Sequence, residues 1–411
     1  MIKKIFPLVV IPFTIYAQDL SKLVEESFQN QLINASKYGV ESVRDQYESV
    51  QNTYFPTVSV GAYYNKVSEE TASAPDNTKA GWANVNYVIY DGGARGATSD
   101  ALKYSINSAN ESLSALKNST ALQVTTYYFN YYSLESQKEA KLKEIEQLNA
   151  QYKRLKRFLD VGTTTSDEVD KIVSRVQSAT VTLHEIELQI QTIVHNLQYL
   201  TTKDVQLESG STIKDIILKE DSLRADIKAL EHEMNAQLSS ARSSKSSNYP
   251  ILSLDDTYTN YDFDYDKKAY QDDATMDEQN VVKLSLSWKI FDFGATTRTY
   301  ESNYKKYLAL KSQYEYEKNK ASIDLKLAVK AYEIARLKIQ AAQSALKAAS
   351  STYNTIENKY QNGLVDNVAY LEALSEKYSA ISVLKSSQFD LEVKKANIIY
   401  HRGKNLEDYI Q

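Results

Sequence analysis

The chain has 411 residues but only 11 glycines and 5 prolines, far fewer than ordinary globular proteins use. Because both residue types disfavour helix interiors, this scarcity predicts long uninterrupted helices. The net charge of −5 excludes the basic face that nucleic-acid binding requires. The mean hydropathy is −0.48, and no apolar run approaches the roughly 20 residues that a membrane helix needs. Any membrane association must therefore use another kind of segment.

The N-terminus has the pattern of a secretory signal. Lys3 and Lys4 precede an apolar run over residues 5–16, and Ala17 is a small residue suited to cleavage. We interpret residues 1–17 as a signal peptide; the alternative is a buried N-terminal helix or strand. The chain has no cysteine, so a disulfide framework is excluded. No cysteine is available to carry a lipid anchor either, so any attachment to a membrane must come from the polypeptide itself. An exported chain with strands but no apolar membrane helix points to the Gram-negative outer membrane.

Four segments alternate apolar and polar residues, as half-exposed β-strands do. In the clearest of them, Val282, Leu284 and Leu286 alternate with lysine and serine. The predicted strands are about 57–66, 82–91, 250–261 and 280–291. The third is the weakest because Asp256 falls on its apolar face, and we expect a bulge or an early strand end there. Aromatic residues on the strands predict membrane girdles: Tyr63, Tyr64, Tyr87, Tyr90, Trp82 and Trp288.

Two very long helices are predicted at about 94–161 and 295–362. No proline interrupts either segment, and no glycine occurs within them after Gly96. Along the first, apolar residues step by three and four as in a coiled coil. At 1.5 Å per residue each helix would reach about 100 Å, so it must lie against other long helices.

Each long helix is followed by a glycine, Gly162 or Gly363, and then by a returning helix. The returning helices are predicted at about 166–202 and 367–402, which makes two tight antiparallel hairpins. Capping patterns open both of them: Thr165 with Glu168 as a capping box, and Asp366 or Asn367 as a simple cap. Shorter helices are predicted at about 19–54 and 216–247.

The two halves of the chain repeat one another. The run Tyr-Asp-Gly-Gly-Ala that contains Asp91 parallels Phe-Asp-Phe-Gly-Ala at Asp292, and 71 residues separate each aspartate from Gly162 or Gly363. Pro56 and Pro250 hold matched places between helix and strand. We predict an internal duplication, the alternative being two unrelated helices of equal length. The repeats are 18–202 and 216–411, joined by an irregular segment at 203–215.

Each repeat supplies one pair of predicted strands, so a single chain has four. Unpaired strand edges are prohibitively costly in lipid, and the smallest membrane barrels have eight strands. One chain therefore cannot close a barrel, and symmetric oligomerisation is predicted, with three chains giving twelve strands. The alternative is a soluble β-sandwich edge whose aromatic residues form a core.

In these features the chain resembles the TolC-like outer membrane efflux protein family. The resemblance rests on the duplication, on Tyr-Phe-Pro and Asn-Tyr-Pro before the strands, on the aspartate-glycine runs after them, and on the hairpin glycines. It covers nearly the whole mature chain. It implies a fold that combines a membrane β-barrel with a long α-helical barrel, each protomer giving four strands and long antiparallel helices. The strand–helix junctions are Pro56, Asp91, Gly93, Pro250, Asp292 and Gly294.

The resemblance also implies a function and partners. Members form trimeric channel-tunnels that span the outer membrane, reach into the periplasm, and export small molecules or proteins. They work with a periplasmic adaptor and an inner-membrane pump or ABC transporter. The turns where adaptor contact is expected contain Gly162, Thr163, Gly363 and Leu364.

Family members close the periplasmic tip with acidic residues near the start of the returning helices. The acidic ring is expected at Glu372 or Asp366, with Glu168 behind. Like charges that converge on a threefold axis repel one another and favour cations. Ala369 departs from the family pattern, which in some members has carboxylates at the last two of these spacings. The alternative is that the acids only cap helices and favour their dipoles.

We expect no catalytic, metal or cofactor site, because no group of residues in the sequence has the pattern of an enzyme active site. Asp262, Asp264 and Asp266 with Asp273 imitate a calcium loop, but Lys267 replaces the glycine such a loop needs, which favours a solvated extracellular loop. Two rival functions stay open. A periplasmic coiled-coil adaptor would not need two strand pairs, and a secreted helical pore-former should lack the duplicated 71-residue spacing.

Overall fold

A computed structural model describes residues 18–215, 222–266 and 276–411, so the predicted signal peptide lies outside the described residues. The chain divides into two compact units. A sheet-containing unit comprises Ser36–Ser112 and Asp226–Lys318, and a helical unit comprises the chain up to Ala35, Leu113–Ala225 and Asn319–Gln411. Within the described ranges, no helix combines the length and the apolar character needed to cross a bilayer.

The elements follow in two parallel series. The first is α1 (Leu20–Ser27), α2 (Gln31–Asn52), β1 (Thr57–Lys66), β2 (Asn77–Asp91), α3 (Ala94–Asp160) and α4 (Ser166–Thr201). The second is α5 (Ala225–Lys245), a 3₁₀ turn (Ser246–Asn248), β3 (Ile251–Asp264), β4 (Glu278–Ser287), α6 (Ala295–Gln361), α7 (Asn367–His401) and a 3₁₀ turn (Leu406–Tyr409). Both long helices, α3 and α6, contain 67 residues.

Some boundaries differ from expectation for local reasons. Residues 19–54 were expected to form one helix but form two, α1 and α2. The break occurs because the Asn30 side chain accepts the backbone N–H of Ile33 (2.8 Å) and so caps a new helix. Strand β2 begins at Asn77, well before the expected residue 82, which shortens the loop after β1. Strand β4 ends at Ser287, and the next residue, Trp288, donates its indole N–H to the carbonyl of Asn248 (3.1 Å).

The four strands form one antiparallel sheet in the order β1-β2-β3-β4. Strands β1 and β4 are therefore its two edges. Across the sheet, Val58, Val85, Asp256 and Val282 lie in register. The bulge or strand end expected at Asp256 is thus wrong, since the one register shift between paired strands lies in β2 after Val88. A carboxylate therefore projects from this face between the valines of the two neighbouring strands.

The two faces of the sheet differ in chemistry. The apolar face carries Val58, Val60, Val85, Leu252, Leu254, Val282, Leu284 and Leu286, and the polar face carries Ser59, Asn84, Asn86, Asp255, Thr257, Lys283 and Ser285. The apolar side chains are open, with Val60 77% and Leu286 68% exposed. On the polar face, Asn84 donates to Thr257 (2.7 Å) and Asn86 to Asp255 (2.6 Å). An exposed apolar face of this extent marks a surface that something else covers.

The core of the helical unit joins α1, α3, α4 and α7. Its fully buried side chains include Leu20, Leu23, Val124, Phe129, Leu197, Ala396 and Ile399. Residues from the irregular segment 203–215 complete it, since Ile213 is only 2% exposed. The buried Tyr128 hydroxyl donates to the Glu208 carbonyl (2.7 Å) and fixes this segment against α3. The connection between the repeats is therefore part of the core.

A buried lysine on α7 fixes the same segment from the other side. The Lys395 ammonium lies 2.9 Å from Asp215 and 3.0 Å from Glu392, and it donates to the Ile213 carbonyl (3.2 Å). Glu392 in turn accepts the Ile213 N–H (2.8 Å). Burial alone would lower the pKa of Lys395, but its hydrogen bonds to Asp215 and Glu392 outweigh burial and raise it. The ammonium is thus charged at neutral pH and fully paired.

Replacing Lys395 with methionine should destabilise the helical unit, because the half-buried Glu392 would lose the ammonium that offsets its charge. We expect a cost of about 3 kcal/mol, measured as a shift in the urea midpoint of the circular dichroism signal. The neighbouring Lys394 pairs with Asp390 near the surface, so Lys394→Met should cost less than about 1 kcal/mol. The difference should persist at neutral pH and shrink as the pH rises above the ordinary lysine value of 10.5. Equal effects of the two substitutions would contradict this assignment.

Candidate functional site at the hairpin tips

The two hairpins turn in the same way. Gly162 donates its N–H to the carbonyl of Leu159 (2.9 Å), and Thr163 donates to that of Phe158 (2.8 Å). In the second hairpin Gly363 donates to Tyr360 (3.1 Å) and Leu364 to Lys359 (2.9 Å). Both glycines have a positive φ, +73° and +72°, which ordinary side chains adopt at a cost. Each long helix therefore ends in a Schellman motif at the same distance from its start.

The returning helices begin differently. Asp366 caps α7, its carboxylate accepting the N–H of Ala369 (2.9 Å). Thr165 occupies the cap position of α4 but makes no capping hydrogen bond with its side chain. The expected capping box of Thr165 with Glu168 is thus wrong, because Glu168 directs its carboxylate elsewhere. The pKa of the adjacent Asp167 is lowered by a hydrogen bond from the Thr165 side chain and by Lys171.

A network of four polar side chains joins all four helices just above the turns. We call it the tip network, and it consists of Gln151 (α3), Glu168 (α4), Tyr360 (α6) and Asn367 (α7). Gln151 donates to the Asn367 side-chain carbonyl (3.2 Å) and contacts the Tyr360 hydroxyl, while Asn367 donates to Glu168 (3.3 Å). Gln151 and Asn367 are only 5% and 6% exposed, so losing a partner would leave a buried polar group unsatisfied.

Aromatic side chains pack around the tip network. Tyr360 stacks on Tyr370 of α7 with ring centres 4.9 Å apart, and the Arg154 guanidinium lies 5.3 Å from the Tyr360 ring. Burial raises the pKa of Tyr360 and of Tyr370, so both phenols are neutral at physiological pH. The fully buried Ile172 and Leu374 extend this packing along α4 and α7. The two hairpins are therefore held together at their tips by packing as well as by hydrogen bonds.

The three acids predicted for a gate occupy different environments. Glu168 is half-buried and accepts from Lys171 (2.8 Å) and from Asn367. Asp366 is exposed but serves as the helix cap. Glu372 is exposed on α7 and has no hydrogen-bond or ion-pair partner among the described residues. Of the three, Glu372 is therefore the carboxylate left open to solvent.

Exposed apolar side chains project at both turns where partner contact was predicted. Val161 next to Gly162 is 70% exposed, and Leu364 next to Gly363 is 74% exposed. Thr163 is also exposed, although its hydroxyl donates back to the Phe158 carbonyl (3.0 Å). The turns thus combine a rigid backbone with apolar groups open to a partner.

The strand–helix junctions repeat one arrangement. Asp91 accepts the N–H groups of Gly93 (3.1 Å) and Arg95 (2.9 Å) at the start of α3. Asp292 accepts those of Gly294 (3.0 Å) and Thr296 (2.9 Å) at the start of α6. Each aspartate thus satisfies N–H groups at and just before the start of its helix. Pro56 and Pro250 directly precede the strands β1 and β3.

The predicted aromatic girdle is divided between the two faces of the sheet. Tyr64 and Tyr87 lie on the apolar face, as does Tyr90 beyond the register shift. Tyr63 and Trp82 lie on the polar face, so these aromatic residues do not form a girdle on one face of the sheet. Alternation along each strand could have shown this, because Tyr63 and Tyr64 are neighbours and must point to opposite sides.

The calcium-like run is divided by strand β3. Asp262 and Asp264 belong to the strand, and Asp262 is hydrogen-bonded to Lys79 (3.1 Å) across the sheet. Asp273 and Lys267 lie outside the described residues. In the ranges that the structure covers, no group of three or more His, Asp or Glu side chains is arranged to hold a metal ion.

Solved structures share this fold. They include the Campylobacter jejuni CmeC outer membrane channel (18% identity, TM-score 0.82, covering 94% of this chain and 86% of that one). The outer membrane protein VceC of Vibrio cholerae has 17% identity and a TM-score of 0.80, covering 94% and 96%. A membrane protein from Pseudomonas aeruginosa has 15% identity and a TM-score of 0.83, covering 93% of both chains. At these identities the similarity shows the fold alone.

The sequence itself matches a known protein family. No curated protein matches the chain. The model of the outer membrane efflux protein family matches residues 24–202 and 219–384, which is most of the chain. The predicted fold class and the predicted resemblance are both confirmed. The chain belongs to the outer membrane efflux protein family.

Proposed function

We propose that three copies of this chain form an outer-membrane channel-tunnel that exports small molecules or proteins. The observation that carries the proposal is the four-stranded sheet, which has an exposed apolar face and an edge at both β1 and β4. Such a face suits lipid, but a sheet can lie in lipid only when its edges are paired. Three copies supply twelve strands, within the range of known membrane barrels. A soluble adaptor would instead leave the apolar face in water.

The polar face suits the inside of the proposed barrel. Its serine, asparagine and threonine side chains and Lys283 can hydrogen-bond water, which a conducting lumen must contain. The pairs Asn84–Thr257 and Asn86–Asp255 hold several of these side chains along the sheet. This arrangement supports a water-filled exit through the membrane.

The long helix α6 carries an apolar stripe suited to helices of a neighbouring copy. Ile323, Leu327 and Leu337 are 64%, 67% and 62% exposed at coiled-coil spacing. A separate row of alanines at seven-residue intervals, Ala328, Ala335, Ala342 and Ala349, is buried within the chain. The helix thus has one apolar row that its own chain covers and another that is open. Pairing of the open row between copies would build an α-helical barrel.

The hairpin tips are proposed as the periplasmic gate and as the contact site for partners. In a trimer, Glu372 from each copy would face a shared axis, where repeated carboxylates attract cations and exclude anions. The exposed Val161 and Leu364 suit contact with a periplasmic adaptor, which in turn would connect to an inner-membrane pump or ABC transporter. The tip network would hold the hairpins in one arrangement until such a partner binds.

Reconstitution in planar bilayers, after cell fractionation, tests the proposed function. We expect the chain to be recovered in the outer membrane, and the purified protein to give discrete unitary conductances. Recovery in the soluble periplasm, or the absence of any conductance from well-folded protein, would contradict the proposed channel-tunnel and favour a periplasmic adaptor.

Replacing Glu372 with glutamine should reduce the preference for cations, because the substitution removes one charge from each copy at the proposed gate. The measurement is the reversal potential under a salt gradient, which should shift towards that of an unselective pore. Glu185 is exposed in the middle of α4, so Glu185→Gln is a control of the same chemistry and should leave the potential unchanged. An unchanged potential in Glu372→Gln would place the gate elsewhere.

Replacing Asn367 with leucine should loosen the tips, because Gln151 and Glu168 would each lose a hydrogen-bond partner. We expect a larger or more often open conductance, together with a loss of about 1–3 kcal/mol of stability. Asn362 lies at the exposed end of the same hairpin, and its side chain donates to the Asn358 carbonyl of its own helix (2.7 Å), which makes Asn362→Leu the control. If both variants conduct like the unmodified protein, the tip network has no part in gating.

A further inference from the structure

Four aromatic side chains gather on the polar face of the sheet, near the end that carries the loop between β1 and β2. We call them the aromatic collar: Tyr63, Trp82, Tyr261 and Phe263. Tyr63 and Tyr261 lie on either side of Ala80 in the register, and Tyr261 stacks on Phe263 with ring centres 5.2 Å apart and planes at 15°. Ala80 between them is only 5% exposed, although it lies on an open sheet face. The rings therefore cover the backbone as a continuous surface.

Trp82 lies over the sheet because its cross-strand neighbour is glycine. A Cβ at Gly61 would come within 2.5 Å of the indole Cζ2 and 2.6 Å of Cε2, so only glycine leaves room for the ring. The indole thus occupies the space above Gly61 and offers its other side to the proposed lumen. Trp82 itself is half-buried, as expected for a ring with one covered side.

A lipid girdle does not explain the aromatic collar. Aromatic residues of the apolar face already meet the membrane side, where Tyr258 donates to Glu278 (2.6 Å) and Tyr64 to Asn77. The aromatic collar faces the opposite way, towards water in the proposed barrel. Half-exposed rings on a water-filled wall are the kind of surface on which flat solutes stack, and such stacking tolerates many ring systems.

The charge at the same end of the sheet selects among flat solutes. The described residues outside the strands at this end, 67–76, 265–266 and 276–277, contain five carboxylates and no lysine. Cations are therefore concentrated at this exit and anions are repelled. The combination of stacked rings and surrounding negative charge fits a planar aromatic cation, which also gains a cation–π attraction.

We propose that the aromatic collar is a binding site for planar aromatic cations leaving the channel. The proposal rests on the proposed function, because the polar face must line a conducting lumen. Three copies would bring twelve rings to one level of the barrel. Weak, reversible stacking there would hold a solute briefly before release to the exterior.

Channel block tests the proposal with proflavine as the planar cation and hexylammonium as an aliphatic cation of the same charge. Proflavine should reduce the unitary current of the reconstituted protein at far lower concentration than hexylammonium. In Tyr63→Ser and in Trp82→Ser the half-blocking concentration of proflavine should rise at least about fivefold, the smaller end of what one stacked ring contributes. Tyr64→Ser removes the adjacent ring on the apolar face and should leave the block unchanged.

Tryptophan fluorescence gives a second measurement that does not depend on conductance. The chain contains two tryptophans, so Trp288→Phe leaves Trp82 as the sole emitter of its kind. Proflavine should quench that emission in detergent, and should not quench the Trp288 emission of Trp82→Phe. A conducting channel that proflavine blocks no better than hexylammonium, or equal loss of block in Tyr63→Ser and Tyr64→Ser, would overturn the aromatic collar alone. Absence of conductance in the unmodified protein would overturn the proposed function and the collar with it.

Discussion

The unpaired edges of a four-stranded sheet are the constraint on which the rest of the protein depends. Each buried backbone group without a hydrogen bond costs several kcal/mol in hydrocarbon, so β1 and β4 cannot remain edges in a membrane. The same sheet exposes valine and leucine side chains along one face, and contact of this apolar surface with water is unfavourable. In the proposed trimer, strands of the partner copies would satisfy both conditions. The open apolar stripe of α6 is a second surface that pairing between copies would cover.

Internal duplication explains why one arrangement occurs twice in the chain, and divergence explains why the two repeats differ in detail. Both strand–helix junctions use an aspartate to accept the first N–H groups of the helix, and both hairpins close with a Schellman motif. The acids after the turns have diverged. Glu168 is bound by Lys171 and Asn367, whereas Glu372 in the second repeat is open. The two repeats thus share a scaffold but differ in whether the acid after the turn is paired.

The features that sequence can predict are those fixed by local chemistry. Alternation along a strand determines which residues share a face, and the fold class and family inferred from such patterns were confirmed. The helix break at Asn30 was missed because its cap lies inside an otherwise helical pattern. The tip network was missed because Gln151 and Asn367 are 216 residues apart, and their contact depends on the rotation of four helices. The sequence signal for this contact was a polar residue, Asn367, at the start of an apolar seam in α7. The same residue is equally typical of a helix N-cap, so it did not predict the network.

Counting the copies in the assembled protein tests this account most directly. Native mass spectrometry of protein extracted from membranes in mild detergent would measure the assembly mass without assuming any activity. The account predicts three chains, since three four-stranded sheets close a twelve-stranded barrel. A stable monomer, or a dimer that retains the folded sheet, would contradict it, because either would show that the edges of β1 and β4 are satisfied in another way.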